Sequence, residues 1–184
     1  YTLEELKALG EVLKKHPNVM VVTDDMYEPI LWTGKPFCNI LNATPELHDR
    51  TFVLNGVSKA YSMTGWRIGY AAGPASVIGA MKKIQSQSTS NPSSISQAAA
   101  QAALEGDQSC VDEMVKAFRE RHDYLVKALN ELPGVECLEG DGTFYVFPCF
   151  KQAIENTPNV SNDAEMAEAF LKGCVALVPR SAVG

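Results

Sequence analysis

This sequence predicts an α/β protein with a smaller α+β lobe attached, on three observations. Short β-branched runs alternate with helical patterns through the first part of the chain. A long amphipathic stretch follows, from Asp107 to Leu132. Beyond it the pattern changes to short strand-like runs around one helix. The expected division is therefore residues 1–110, part of a larger sheet-bearing domain, and residues 111–184, a linking helix with part of a smaller domain.

Taken in order, Thr2 with Glu5 makes a capping box ahead of Leu3, Leu6, Leu9 and Leu13, which share one helical face. That helix ends near His16-Pro17-Asn18, since proline cannot continue it. "VMVVT" (19–23) is a continuous run of the kind found in strands buried on both faces. "TFVLNGV" (51–57) and "RIGYAAG" (67–73) read as further strands, expected in a parallel sheet. Pro74 suits the first turn of a helix over 75–88. "NPSSISQAAAQAAL" (91–104) is a helix with a polar start. The stretch 107–132 places Val111, Met114, Val115, Phe118, Tyr124, Leu125 and Leu129 among enough charge to leave one side solvated, and "LPG" (132–134) closes it. "VECLE", "TFYVFPCF" and "VALVP" read as strands around a helix over 162–173. The chain opens directly into a helix and ends on "VPRSAVG" just after a strand, so the expectation is a piece of a larger fold.

Composition narrows the function. The 184 residues are 46% hydrophobic and 21% charged, as in an ordinary globular protein. A net charge of −6, with no Lys/Arg cluster, disfavours nucleic acid as a partner. No apolar run approaches the ~18–20 residues of a membrane span, and no signal-peptide pattern opens the sequence. Cys38, Cys110, Cys137, Cys149 and Cys174 show no CxxC spacing, so free thiols and a cytoplasmic location are expected. His16, His48 and His122 are too isolated for a metal site and are expected at the surface or in caps.

In an open α/β sheet, ligands gather where strands end. Asp24 and Tyr27 follow the first strand; Ser58 and Lys59 follow the second, and Arg67 opens the third. Singly, each has a bland reading: Asp24 as a turn residue, Lys59 as a surface lysine, Arg67 as an ion-pair partner. Together they supply the groups that an aldehyde cofactor needs. A lysine amine can form a Schiff base, and burial or cationic neighbours make such an amine nucleophilic. Pyridoxal phosphate also needs a carboxylate at its pyridine nitrogen, a donor to its phenolic oxygen, and an arginine with small polar groups for its phosphate.

"DDMYEPI" followed by "SKAYSMTGWRIGYAAGP" resembles the fold-type I, class I/II aminotransferases, above all the bacterial aspartate aminotransferase branch. The similarity runs through essentially the whole chain, and the lysine segment is its specific part. The resemblance implies part of the large pyridoxal-phosphate domain over 1–110 and part of the small domain over 111–184, with a parallel or mixed sheet. Lys59 then resembles the Schiff-base lysine, Asp24 the partner of the pyridine nitrogen, and Tyr27 the phenolic-oxygen contact. Ser58 and Arg67 resemble the phosphate-binding pair. Pyridoxal 5'-phosphate is the implied cofactor, an amino acid and a 2-oxo acid (aspartate with 2-oxoglutarate) the implied substrates, and a homodimer the implied assembly. Carbon–sulfur lyases of the same fold usually carry His where Tyr27 stands, so Tyr27 points to transamination. A non-catalytic chain is the other alternative.

Some features depart from the family. Its Gly-rich phosphate loop, ring-stacking aromatic and Asn-Pro motif would precede Tyr1, and its carboxylate-gripping arginine would follow Gly184. Gly56 stands where some members have a phosphate-touching side chain. "QSQSTSNP" (85–92) lacks the arginine that some aspartate-specific members carry there. Arg180 replaces a common glycine, and no physical account of it follows from the sequence.

Overall fold

The first helix forms where its capping box puts it. In the computed structural model, which describes residues 1–183, α1 spans Leu3–Lys14. The Thr2 hydroxyl accepts from the Glu5 N–H, and the Glu5 carboxylate accepts from the Thr2 N–H at 2.7 Å. These bonds, with the exposed Thr2 hydroxyl, hold the Glu5 carboxyl below its ordinary pKa. Only part of the leucine stripe is covered: Leu6 is buried and Leu13 packs beside it, whereas Leu3 and Leu9 stay exposed. Gly10 is needed on this face, because a methyl there would collide with the Thr44 hydroxyl.

The far end of α1 is closed from a distance. Arg50 donates from Nη2 to the Leu13 carbonyl (2.6 Å) and from Nη1 to those of His16 (2.8 Å) and Val19 (2.6 Å). The Leu13 and His16 carbonyls also accept from the His16 and Val19 N–H groups, so one planar cation adds a further donor to each and ties them to Val19. Arg50→Met is expected to cost about 2 kcal/mol, since its charge-assisted bonds to three carbonyls are lost. Arg50→Lys should recover little of it, because a single ammonium cannot reproduce the fork. Urea unfolding of the three proteins measures this.

The described residues of the first half form a three-stranded sheet in the order β1-β2-β3. β1 (Val21–Asp24) runs parallel to β2 (Thr51–Gly56), and β3 (Gly69–Ala72) runs antiparallel to β2. The sheet is thus mixed rather than purely parallel. Between β1 and β2 lie α2 (Ile40–Ala43) and a 3-10 segment, Pro45–Arg50, which pack Ile40 and Leu47 against Leu6 and Val21. That layer covers one face of β1. The other face carries Val22, 61% exposed, so the expectation of a strand buried on both sides is corrected.

α3 (Ala75–Ser88), with Pro74 as its N-cap, and α4 (Ser94–Glu105) follow β3. α5 (Ser109–Asn130) spans the boundary between two compact units, residues 1–116 and 117–184. In the second unit the structure differs from the sequence expectation. The described residues of "VECLE", "TFYVFPCF" and "VALVP" build no strand; one antiparallel bridge, Glu136 to Cys149, joins the first two runs. The Asn130 side chain takes the place of a pairing strand, accepting from the Cys137 N–H (2.9 Å) and donating to its carbonyl (2.8 Å). His122 is also corrected: it is buried, not superficial. Its Nε2 accepts the Gly140 N–H at 2.9 Å, so in the neutral ring Nδ1 carries the proton and donates to Asp123 at 3.1 Å. α6 (Lys151–Glu155) and α7 (Asp163–Lys172) complete the unit. Among the described residues no helix is long and apolar enough to cross a membrane.

Candidate active site

Strand register converges the five sequence-predicted residues on one end of the sheet. Asp24, the last residue of β1, pairs with Leu54, two residues before β2 ends at Gly56. Because the strands are parallel, the turn holding Tyr27 and the turn holding Ser58 and Lys59 leave from the same edge. β3 enters at that edge, since Gly56 pairs with Gly69, and Arg67 stands two residues before Gly69. The five candidate residues therefore lie around the carboxyl ends of β1 and β2, where α/β ligand sites form.

Each turn has its own local cause. The exposed Asp24 carboxylate accepts from the Met26 N–H at 3.3 Å, an Asx-type turn. Asp25 does the structural work instead. It is buried, its carboxylate accepting from the Thr23 hydroxyl (2.6 Å) and the Asn39 amide (2.7 Å), and its N–H donates to Leu54 (2.8 Å). Asn39 in turn caps α2. The two neighbouring aspartates thus divide, Asp25 fixing the turn and Asp24 facing outward on the sheet edge. Tyr27 is half-buried in the same turn.

After β2, Val57 and Ala60 are buried and flank the half-buried Ser58 and Lys59. Gly56 has a packing reason: a Cβ there would lie 3.1 Å from the Gly69 Cα and 3.2 Å from the Ile68 carbonyl. Arg67 adopts the left-handed conformation (φ 52°), and its guanidinium donates to the Thr64 carbonyl at 2.9 Å. Holding a non-glycine residue there costs on the order of 1 kcal/mol, a strain found where a side chain must be aimed.

Comparison with known proteins fits this geometry. The family pattern described as aminotransferase class I and II matches residues 1–183. The chain belongs to the class I and II aminotransferases. An aspartate/prephenate aminotransferase of Nitrosomonas europaea is 57% identical over all of this chain and 48% of its own length. The crystal structure of the aspartate aminotransferase from Rhizobium meliloti superposes with a TM-score of 0.93 at 43% identity, over 100% of this chain and 47% of that one. An aromatic aminotransferase from Pyrococcus horikoshii superposes at 0.88 with 32% identity, over 100% and 48% of the two chains. The chain thus spans about half the length of the aminotransferases it matches, and its mixed α/β architecture is theirs.

Within this aminotransferase chain the donor set fits pyridoxal phosphate chemically: one amine, one carboxylate, one phenol, one hydroxyl and one guanidinium on a single sheet edge. Among the described residues no cluster of His, Cys, Asp or Glu could hold a metal ion. The edge also holds residues that the sequence reading missed. Glu28 accepts from the Asn55 amide at 2.8 Å, and the phenol of the largely exposed Tyr70 is pushed above its ordinary pKa by partial desolvation, then by Glu28 and Tyr61. A groove of about 1290 Å³ is lined wholly by second-unit residues, including Phe147, Met166 and Leu177, and by none of the five.

Proposed function

We propose that the protein carrying this chain is a pyridoxal-phosphate-dependent aminotransferase that uses Lys59 to hold its cofactor. The observation that carries the reading is the register that gathers Asp24, Tyr27, Ser58, Lys59 and Arg67 at one sheet edge. Pyridoxal phosphate, when bound, supplies an aldehyde that condenses with an amine and a ring that takes up the electrons of a deprotonated Cα.

The chain's own residues do the rest. Lys59 would hold the cofactor through its amine and would be free of it once a substrate amino group took its place. The freed Lys59 amine would then be placed to take the Cα proton and to give it back. Asp24 holds a positive charge on the ring nitrogen, and Tyr27 donates to the phenolic oxygen. Ser58 and Arg67 bind the phosphate, for which the planar guanidinium suits paired bonds.

Aspartate is the proposed amino donor, supported by the names of the Nitrosomonas and Rhizobium proteins. 2-Oxoglutarate is the proposed acceptor, with prephenate as the rival that the Nitrosomonas name brings. A homodimer, cytoplasmic and with no nucleic-acid or membrane partner, completes the proposal. The division into part of a large cofactor domain (1–110) and part of a small domain with its linking helix (111–184) belongs to it as well.

Reductive trapping tests it. The intact protein is incubated with pyridoxal phosphate, treated with borohydride and mapped by mass spectrometry. The phosphopyridoxyl group is expected on Lys59. Its recovery on another lysine instead would overturn the assignment.

A further inference from the structure

The turn that carries Lys59 is fastened to the junction of α4 and α5. Within it the Tyr61 N–H reaches the Val57 carbonyl (3.3 Å), the Ser62 N–H reaches that of Lys59 (3.2 Å), and Ser62 is left-handed (φ 53°). Two side chains then leave it for a segment 47 to 52 residues on. The Tyr61 hydroxyl donates to Gln108 Oε1 at 2.8 Å, and the Ser62 hydroxyl to the Met114 sulfur at 3.3 Å.

Gln108, an exposed residue, makes further bonds of its own. Its Nε2 donates to the carbonyls of Ala103 (3.0 Å) and Gly106 (2.7 Å), closing the end of α4. Its own carbonyl accepts from the Val111 N–H (2.9 Å), starting α5. Because two pure acceptors face Nε2, the amide cannot turn over, and Oε1 must face Tyr61. The Tyr61 phenol is raised above its ordinary pKa by burial, then by Cys110 and Glu28, so it remains a donor through the neutral range.

We propose that Tyr61 and Gln108 are positioning residues for the Lys59 amine. Their bond ties the lysine's turn to a fixed helix junction, so the amine can leave and regain the cofactor without its backbone drifting. Catalysis of this kind is sensitive to small displacements of the reacting group. The proposal rests on the reading of Lys59 as the cofactor lysine.

Tyr61→Phe tests it in the intact protein, because it removes one hydroxyl and keeps the ring; Tyr124→Phe, at an exposed tyrosine, is the control. Hydrogen exchange at residues 61–63 should rise about fivefold, the equilibrium factor of one net hydrogen bond, with residues 51–56 unchanged. Lys59's share of borohydride-trapped pyridoxal phosphate, relative to Lys82 and Lys83, should fall by a similar factor. Unchanged exchange at 61–63 would overturn the proposal. So would faster exchange with Lys59 labelling intact, since the bond would then be merely structural. Wild-type protein that never labels Lys59 would overturn it differently, by removing the cofactor reading on which it stands.

Discussion

Lys59→Ala is expected to reduce transamination of aspartate by at least about 10⁴-fold, the upper range for loss of a positioned acid–base group. The loss should exceed that of a proton shuttle alone, because the same amine is proposed to hold the cofactor. Stability should change little: the residue is half-buried, and its buried neighbours Val57 and Ala60 keep their packing. Lys59→Arg separates charge from nucleophilicity. The guanidinium stays cationic and cannot condense with an aldehyde, so it should be as inactive as alanine. Lys82→Ala and Lys83→Ala, on the exposed face of α3, should remain within a factor of about two, as surface substitutions do. Steady-state rates on the intact protein measure all four. Activity surviving Lys59→Ala would return Lys59 to the bland reading of a surface lysine.

What could be read in the sequence was local. The Thr2–Glu5 box is a four-residue signal, and it formed as written. The run at 51–57 became β2 because its residues suit a pleated, largely buried surface, while the run at 67–73 became β3, whose four residues are exposed. Strand direction is not a local property, so the antiparallel entry of β3 was not legible. That entry is what brings Arg67 to the edge holding Lys59. Strand propensity also failed in the second unit. "VECLE" needs a partner along its length, and the described residues give it one bridge and the Asn130 side chain. Arg50, Asp25, Gln108 and His122 share another reason for being missed. Each acts on groups 14 to 47 residues away or on a backbone atom that composition does not reveal. The five candidate site residues could be proposed because their types match one cofactor's needs. Their common edge needed the register.

Asp24→Asn offers the sharpest division between the two readings of that carboxylate. As a turn residue, Asp24 uses one oxygen to accept the Met26 N–H. Asparagine keeps that acceptor, so folding stability should stay within about 0.5 kcal/mol, the usual range for an exposed substitution away from special features. Asparagine loses the negative charge, and a neutral amide cannot hold a proton on a pyridine nitrogen. Cofactor attachment through Lys59 and phosphate binding by Ser58 and Arg67 should persist, so trapping at Lys59 should remain near wild type. Without the Asp24 charge, however, the bound ring would take up the electrons of a deprotonated Cα far less readily. Turnover should fall on the order of 10³-fold, as when one preorganised electrostatic group is deleted from an active site. Isotope exchange at Cα of aspartate, compared between Asp24→Asn and wild type, measures that step directly. Exchange at the wild-type rate would leave Asp24 as a turn residue and require another carboxylate for the ring nitrogen. Asp25 could not serve without giving up Thr23 and Asn39, which hold both of its oxygens.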